Sequence, residues 1–180
     1  MEQINKARSI SIWVFILPFI AVNACLLITT QFHSIIESQQ YKLPNMFPYF
    51  DGQASISRTA RFFPTYLIFK PAMFLTSYFL IRYWLYNKSI IGYFDSQNKN
   101  INKIVYLGIA SAIALTLHSI FLGVKFDNDL YKLFRRVIMF VFIIFEVAAQ
   151  AYLVITLYKI KDKISRFINK GVLKLKLILV

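Results

Sequence analysis

Hydrophobic positions in this chain come in blocks, not in alternation. Four blocks are each long enough to cross the roughly 30 Å apolar core of a bilayer, which takes about 20 helical residues. They are residues 12–31 (IWVFILPFIAVNACLLITTQ), 63–84 (FPTYLIFKPAMFLTSYFLIRYW), 104–124 (IVYLGIASAIALTLHSIFLGV) and 137–158 (VIMFVFIIFEVAAQAYLVITLY). Aromatic residues gather near several ends (Trp13, Phe62, Tyr83, Trp84, Tyr158), where the membrane meets water. The pattern predicts an all-α integral membrane bundle of four transmembrane helices. A cleaved signal peptide is the rival reading of the first block, but ITTQFHS is a poor small-residue cleavage site, so a retained helix is expected. No Gly/Ser linker, repeat or low-complexity tract divides the chain, so residues 1–180 read as one multipass domain.

The basic tail, residues 159–180 (KIKDKISRFINKGVLKLKLILV), has a different rhythm. Ile160, Ile164, Phe167 and Ile168 recur at helical spacing with lysines between them. That pattern predicts a basic amphipathic helix over about 159–170, lying on anionic inner-leaflet headgroups. An ordinary stop-transfer flank explains the same residues equally well. The closing LKLKLILV grows more apolar and reads as a partial fifth span.

Composition sharpens the class. The chain is 58% hydrophobic, against about 45–50% in soluble domains. Its formal charge of +13 would point a soluble protein toward nucleic acid. In a membrane protein it marks orientation and anionic lipid instead, so nucleic acid is not an expected partner. The tail alone carries seven of the positive charges, and Lys6, Arg8, Arg82, Lys88, Lys99 and Lys103 fall on the same side. The positive-inside rule therefore places both termini in the cytoplasm. Lys42, Arg58, Arg61, Lys125, Lys132, Arg135 and Arg136 fall on the outer side.

Ionisable groups inside a span are costly unless paired or hydrated, which makes each a candidate site. The first span holds Asn23, the second Lys70, the third His118, and the fourth Glu146 and Gln150. At a rise of about 1.5 Å per residue, Asn23, Lys70, His118 and Glu146 lie roughly 9–14 Å below the outer end. This common depth predicts a shared polar pocket, with Lys70 and Glu146 as an ion pair and His118 nearby. Glu146 and Gln150, at i and i+4, share one helix face. Lys70 could instead snorkel to the interface, and Asn23, His118 and Gln150 could serve helix packing. Pro71 in the second span predicts a kink and a freed carbonyl. Gly108, Ser111, Ala112 and Ala114 in the third predict close packing.

Motifs for catalysis or cofactors are absent. There is no phosphate-binding glycine loop, no HExxH, and no serine with a His–Asp setting. The single cysteine, Cys25, excludes an internal disulfide and a cysteine-rich metal site. No cofactor and no metal are expected.

Between the first two blocks lies FPYFDGQASISRTARFFP, residues 47–64, polar and turn-forming. Asp51-Gly52 suits a tight turn, and Ser55 and Ser57 suit a helix cap or a headgroup contact. Arg58 and Arg61, three apart, suit a phosphate or carboxylate clamp at the outer surface. The stretch PYFDGQASISRTARFFPTYLIFKP resembles the first luminal or extracellular loop of the DRAM/Frag/Sfk multipass family, where a Pro, a Ser-Ile-Ser element and a basic residue precede the second span. FLGVKFDNDLYKLFRRVIMFVFIIFEVAAQ is similar to a later loop and span of bacterial proteins of that kind. The two cover about half of the chain. Family members usually carry more spans than the four counted here. The resemblance implies a membrane protein that organises or senses the bilayer, or assists lipid remodelling, and carries over no catalytic residue.

The leading expectation is a non-enzymatic, lipid-associated organiser or regulator with a polar pocket in the outer half of the bilayer. Its partners would be membrane lipids, with oligomerisation or a protein partner left open. Alternatives are a lipid-remodelling enzyme or accessory subunit using His118 and Glu146, and a small channel or transporter subunit lined by Lys70 and Glu146.

Overall fold

Each apolar block becomes part of a long helix in the computed structural model, which describes residues 2–36, 47, 49–50, 55–124, 128–164, 167 and 169–179. Helix α1 spans Glu2–Thr30, and a short 3-10 turn follows at His33–Ile35. A single turn, α2 (Ile56–Thr59), precedes α3 (Thr65–Phe94), α4 (Ile101–Phe121) and α5 (Asp129–Lys159). Another single turn, α6 (Lys161–Ile164), leads to α7 (Lys170–Leu179). No strand occurs among the described residues.

Helices α1, α3 and α5 exceed the predicted spans because a span estimate sees only the lipid-immersed core, whereas α4 is shifted and ends at Phe121, before its predicted span does. Intrahelical hydrogen bonding continues through polar residues into the interface. Helix α5 begins eight residues before its predicted span, where the Asn128 side chain accepts from the Leu130 N–H and Asp129 complements the N-terminal dipole. Helices α1 and α3 run continuously through Pro18 and Pro71.

Among the described residues three helices, α1, α4 and α5, are long and apolar enough to cross a membrane. The fourth expected span falls in α3, which has 30 residues but whose apolar run is interrupted by Lys70, Arg82, Asn87 and Lys88.

The long helices pack antiparallel, α1 against α3, α3 against α4, and α4 against α5. At one end Cys25 Sγ lies 3.5 Å from the Thr65 carbonyl, and the Tyr131 hydroxyl donates to the Phe121 carbonyl at 2.7 Å. At the other end Lys163 Nζ donates to the Phe94 carbonyl at 3.2 Å, so the tail is tied to the exposed acceptors at the end of α3. Trp84 of α3 is fully buried, with Ile104, Ala112, Leu153 and Val154 in the same core. A second core, at the Cys25 end, joins Ala21, Cys25, Phe69, Met73, Leu115 and Leu122. Large apolar side chains such as Phe15, Phe19 and Ile144 are exposed on the outside, the expected state of a lipid-facing surface.

The tail departs from the sequence expectation. It forms no single helix over 159–170, because α5 ends at Lys159 with Ile160 as its cap, and α6 is one turn. Ile160 and Ile164 are buried in the core, which turns the chain back toward the bundle. Helix α7, over the apolar close of the sequence, then packs on α5 with Leu173 buried. Residues 165, 166 and 168, part of the expected surface helix, lie outside the described residues.

Candidate functional site

Two helix-end features build the site. Helix α5 enters the bundle with Lys132, Arg135 and Arg136 spaced i, i+3, i+4, so all three project from one face. Opposite them the chain turns at Gly123, whose φ of +87° suits glycine. A Cβ there would approach the Arg61 carbonyl to 3.0 Å, so this turn and the segment before α3 are pressed together.

Beneath this end lies a cavity of about 1080 Å³. Arg61, Lys132, Arg135, Arg136 and His118 line its helix-end part. Val14, Phe69, Met73, Thr76, Leu115 and Phe142 are among the residues lining the part within the bundle, and Glu146 lines it too. Arg135 and Glu146 are eleven residues apart on α5, roughly 16 Å along the axis. That is close to half of a bilayer's roughly 30 Å hydrocarbon core, the depth of one leaflet. The arrangement is that of ligand pockets generally, a mostly apolar trough with a few convergent polar groups.

His118 is 8% exposed, and its Nδ1 has no hydrogen-bond partner among the described residues. Arg135 Nε is likewise buried and unpartnered there. Lys132 is bound to Asp129 at 2.9 Å, but both side chains are largely exposed, so the pair is weak. Arg135 also lies over the Tyr131 ring at 5.9 Å.

The expected five-residue pocket divides. Glu146 and Gln150 do sit together, with Gln150 Nε2 donating to Glu146 Oε1 at 2.9 Å. The third member is Ser111 of α4, whose hydroxyl lies 2.7 Å from Glu146 Oε2 and 2.8 Å from the Gly108 carbonyl. His118 lines the same cavity near its cationic end.

The expected Lys70–Glu146 ion pair is not formed. Lys70 Nζ reaches the Ile120 carbonyl at 3.4 Å, near the C-terminus of α4, and lies 5.9 Å from the Tyr66 ring. Its long stem carries the ammonium to the helix end, where unpaired carbonyls and the dipole favour a cation. Asn23 is also apart, donating to the Phe19 carbonyl of its own helix at 2.7 Å and accepting from the Tyr49 hydroxyl. Equal depth did not mean a common site, because these side chains leave their helices in different directions.

Of the proposed headgroup residues, Ser55 caps α2 by accepting from the Arg58 N–H at 3.2 Å. Arg58 is exposed and is not among the cavity's lining residues, whereas Arg61 is. The Ser57 side chain and the Asp51-Gly52 turn lie outside the described residues. Sequence reasoning missed Lys132, Arg135, Arg136 and Ser111 as site residues. The basic i, i+3, i+4 face in DLYKLFRR was the available signal for the first three.

Comparison with known protein families, with curated proteins and with solved structures finds no match to this chain.

Proposed function

We propose that this chain is a multipass membrane protein that holds a membrane lipid between its helices and acts as a non-enzymatic organiser or regulator of the bilayer. In this reading α3 is the fourth span. Its position between α1 and α4, both long and apolar enough to cross, supports that assignment. Both termini lie in the cytoplasm, and the cationic end of the cavity faces the opposite leaflet. The resemblance to the DRAM/Frag/Sfk family is consistent with such a role.

The observation that carries the reading is the one-leaflet-deep apolar cavity with cations at one end. A lipid in it would keep its chain dry and its head at the interface. Enzymatic use of His118 with Glu146 has less support. Glu146 is engaged by Ser111 and Gln150, and Ser111 lies seven residues, roughly 10 Å, from His118 along α4, too far for both to serve one reacting atom.

The test is a native mass spectrum of protein extracted in mild detergent. The wild type is expected to retain adducts of lipid mass. Thr76→Phe, which fills the trough, should retain several-fold fewer, and a thermal melt of the same sample would separate filling from misfolding. A wild type without lipid adducts, or a folded Thr76→Phe protein with undiminished ones, would contradict the reading.

A further inference from the structure

We infer that the cavity selects a phospholipid of net negative charge, with its phosphate held by Arg135 and Arg136 of α5 beside Arg61 and His118. This inference rests on the lipid-holding reading above and adds the class of ligand.

Charge complementarity carries it. Four cationic side chains, Arg61, Lys132, Arg135 and Arg136, line the cavity's helix-end part. The one carboxylate among its lining residues, Glu146, lies about one leaflet depth away from Arg135. A zwitterionic head would bring its own ammonium against this cluster, whereas a net anionic head meets no carboxylate among the described residues that line this part of the cavity. Guanidinium groups suit the task because their planar donors match phosphate oxygens in pairs.

A second observation is independent of net charge. His118 is more than nine-tenths buried, lines the cavity, and leaves Nδ1 unpartnered among the described residues, as does the buried Arg135 Nε. Buried polar atoms are ordinarily satisfied. A phosphate oxygen at the cavity mouth would accept from both.

The acyl chain is part of the recognition. The cavity continues from these cations along Phe69, Met73, Thr76 and Phe142, a lining suited to hydrocarbon and not to a free anion. The phosphate chemistry is common to a lipid head and to inorganic phosphate, so the experiment must separate them.

Purified full-length protein would be titrated with phosphatidylglycerol and with phosphatidylcholine, and the retained lipid read by native mass spectrometry. Inorganic phosphate would be added as a competitor. Phosphatidylglycerol should be favoured several-fold in the wild type. Arg135→Gln with Arg136→Gln should bring that preference down to parity, since each cation removed is worth a factor of up to about five. Lys161→Gln with Lys163→Gln, at the opposite end of the bundle, should leave it unchanged. Phosphate at millimolar concentration should not displace the lipid. Because Arg136 is exposed, Arg136→Gln alone provides the test should the double variant fail to fold.

Equal retention of the two lipids, or a preference that survives loss of the arginines, would overturn the inference while leaving lipid binding intact. A preference abolished by the tail variant would assign selectivity to the other end and overturn it too. Displacement by phosphate would identify a free-anion site and contradict a lipid ligand. Failure to retain any lipid would defeat the underlying lipid-holding reading.

Discussion

Glu146 illustrates what a single residue discloses and withholds. A carboxyl in the middle of an apolar run announces that it needs a partner. The sequence offered Lys70 by charge and depth, but depth fixes only one of the coordinates of a side chain on a helix. The partners are Ser111 and Gln150. Gln150 was legible from its i+4 spacing, whereas Ser111 looked like a small packing residue and its hydroxyl went unread. Glu146→Leu should lower stability by about 1–3 kcal/mol, because it strands polar groups that are shielded from water. Glu146→Gln should cost much less, since an amide can donate to Ser111 while that hydroxyl serves the Gly108 carbonyl. Thermal melts in detergent would compare the two. Lys70→Met should add independently to Glu146→Leu in a double-mutant cycle, since the two side chains have separate partners. Marked non-additivity would restore a direct interaction between them.

Helices are where the sequence was most legible. The long apolar blocks at 104–124 and 137–158 could become little else; α4 takes up the first as far as Phe121, and α5 takes up the whole of the second. Helix ends were not legible, because backbone hydrogen bonding carries α1, α3 and α5 past the lipid-like core. The tail was misread for a related reason. Its apolar spacing was legible, but Ile160 and Ile164 are buried in the bundle core, and α5 ends at Lys159, the first residue of the expected helix. Packing between α3 and α4 rests on a position that was legible. A Cβ at Gly108 would lie 2.3 Å from the Trp84 ring, which is fully buried. Gly108→Ala should therefore cost about 1–3 kcal/mol through overpacking, and more if Trp84 cannot shift. A thermal melt in detergent showing no loss would mean that the two helices sit further apart than described.

For the whole molecule, charge and hydropathy gave the class, but the arrangement of the site emerged only from packing. The basic residues at the start of α5 counted merely as outer-side charges in the sequence. Folding places them at one end of a cavity whose walls come from α1, α3, α4 and α5. The proposed four-span topology would put Ser55 and Ser96 on opposite sides of the membrane, since α3 separates them. Single cysteines at these positions, in a Cys25→Ala background, should react with an impermeant reagent from opposite faces. Labelling of both from the same face would mean that α3 does not cross.

The central claim is that lipid occupies the trough between the helices. A phospholipid carrying a photoreactive diazirine along its acyl chain tests it most directly, with crosslinked peptides identified by mass spectrometry. The account predicts adducts on trough residues such as Met73, Leu115 and Phe142. Adducts confined to outward-facing residues such as Phe15, Phe19 and Ile144 would contradict it.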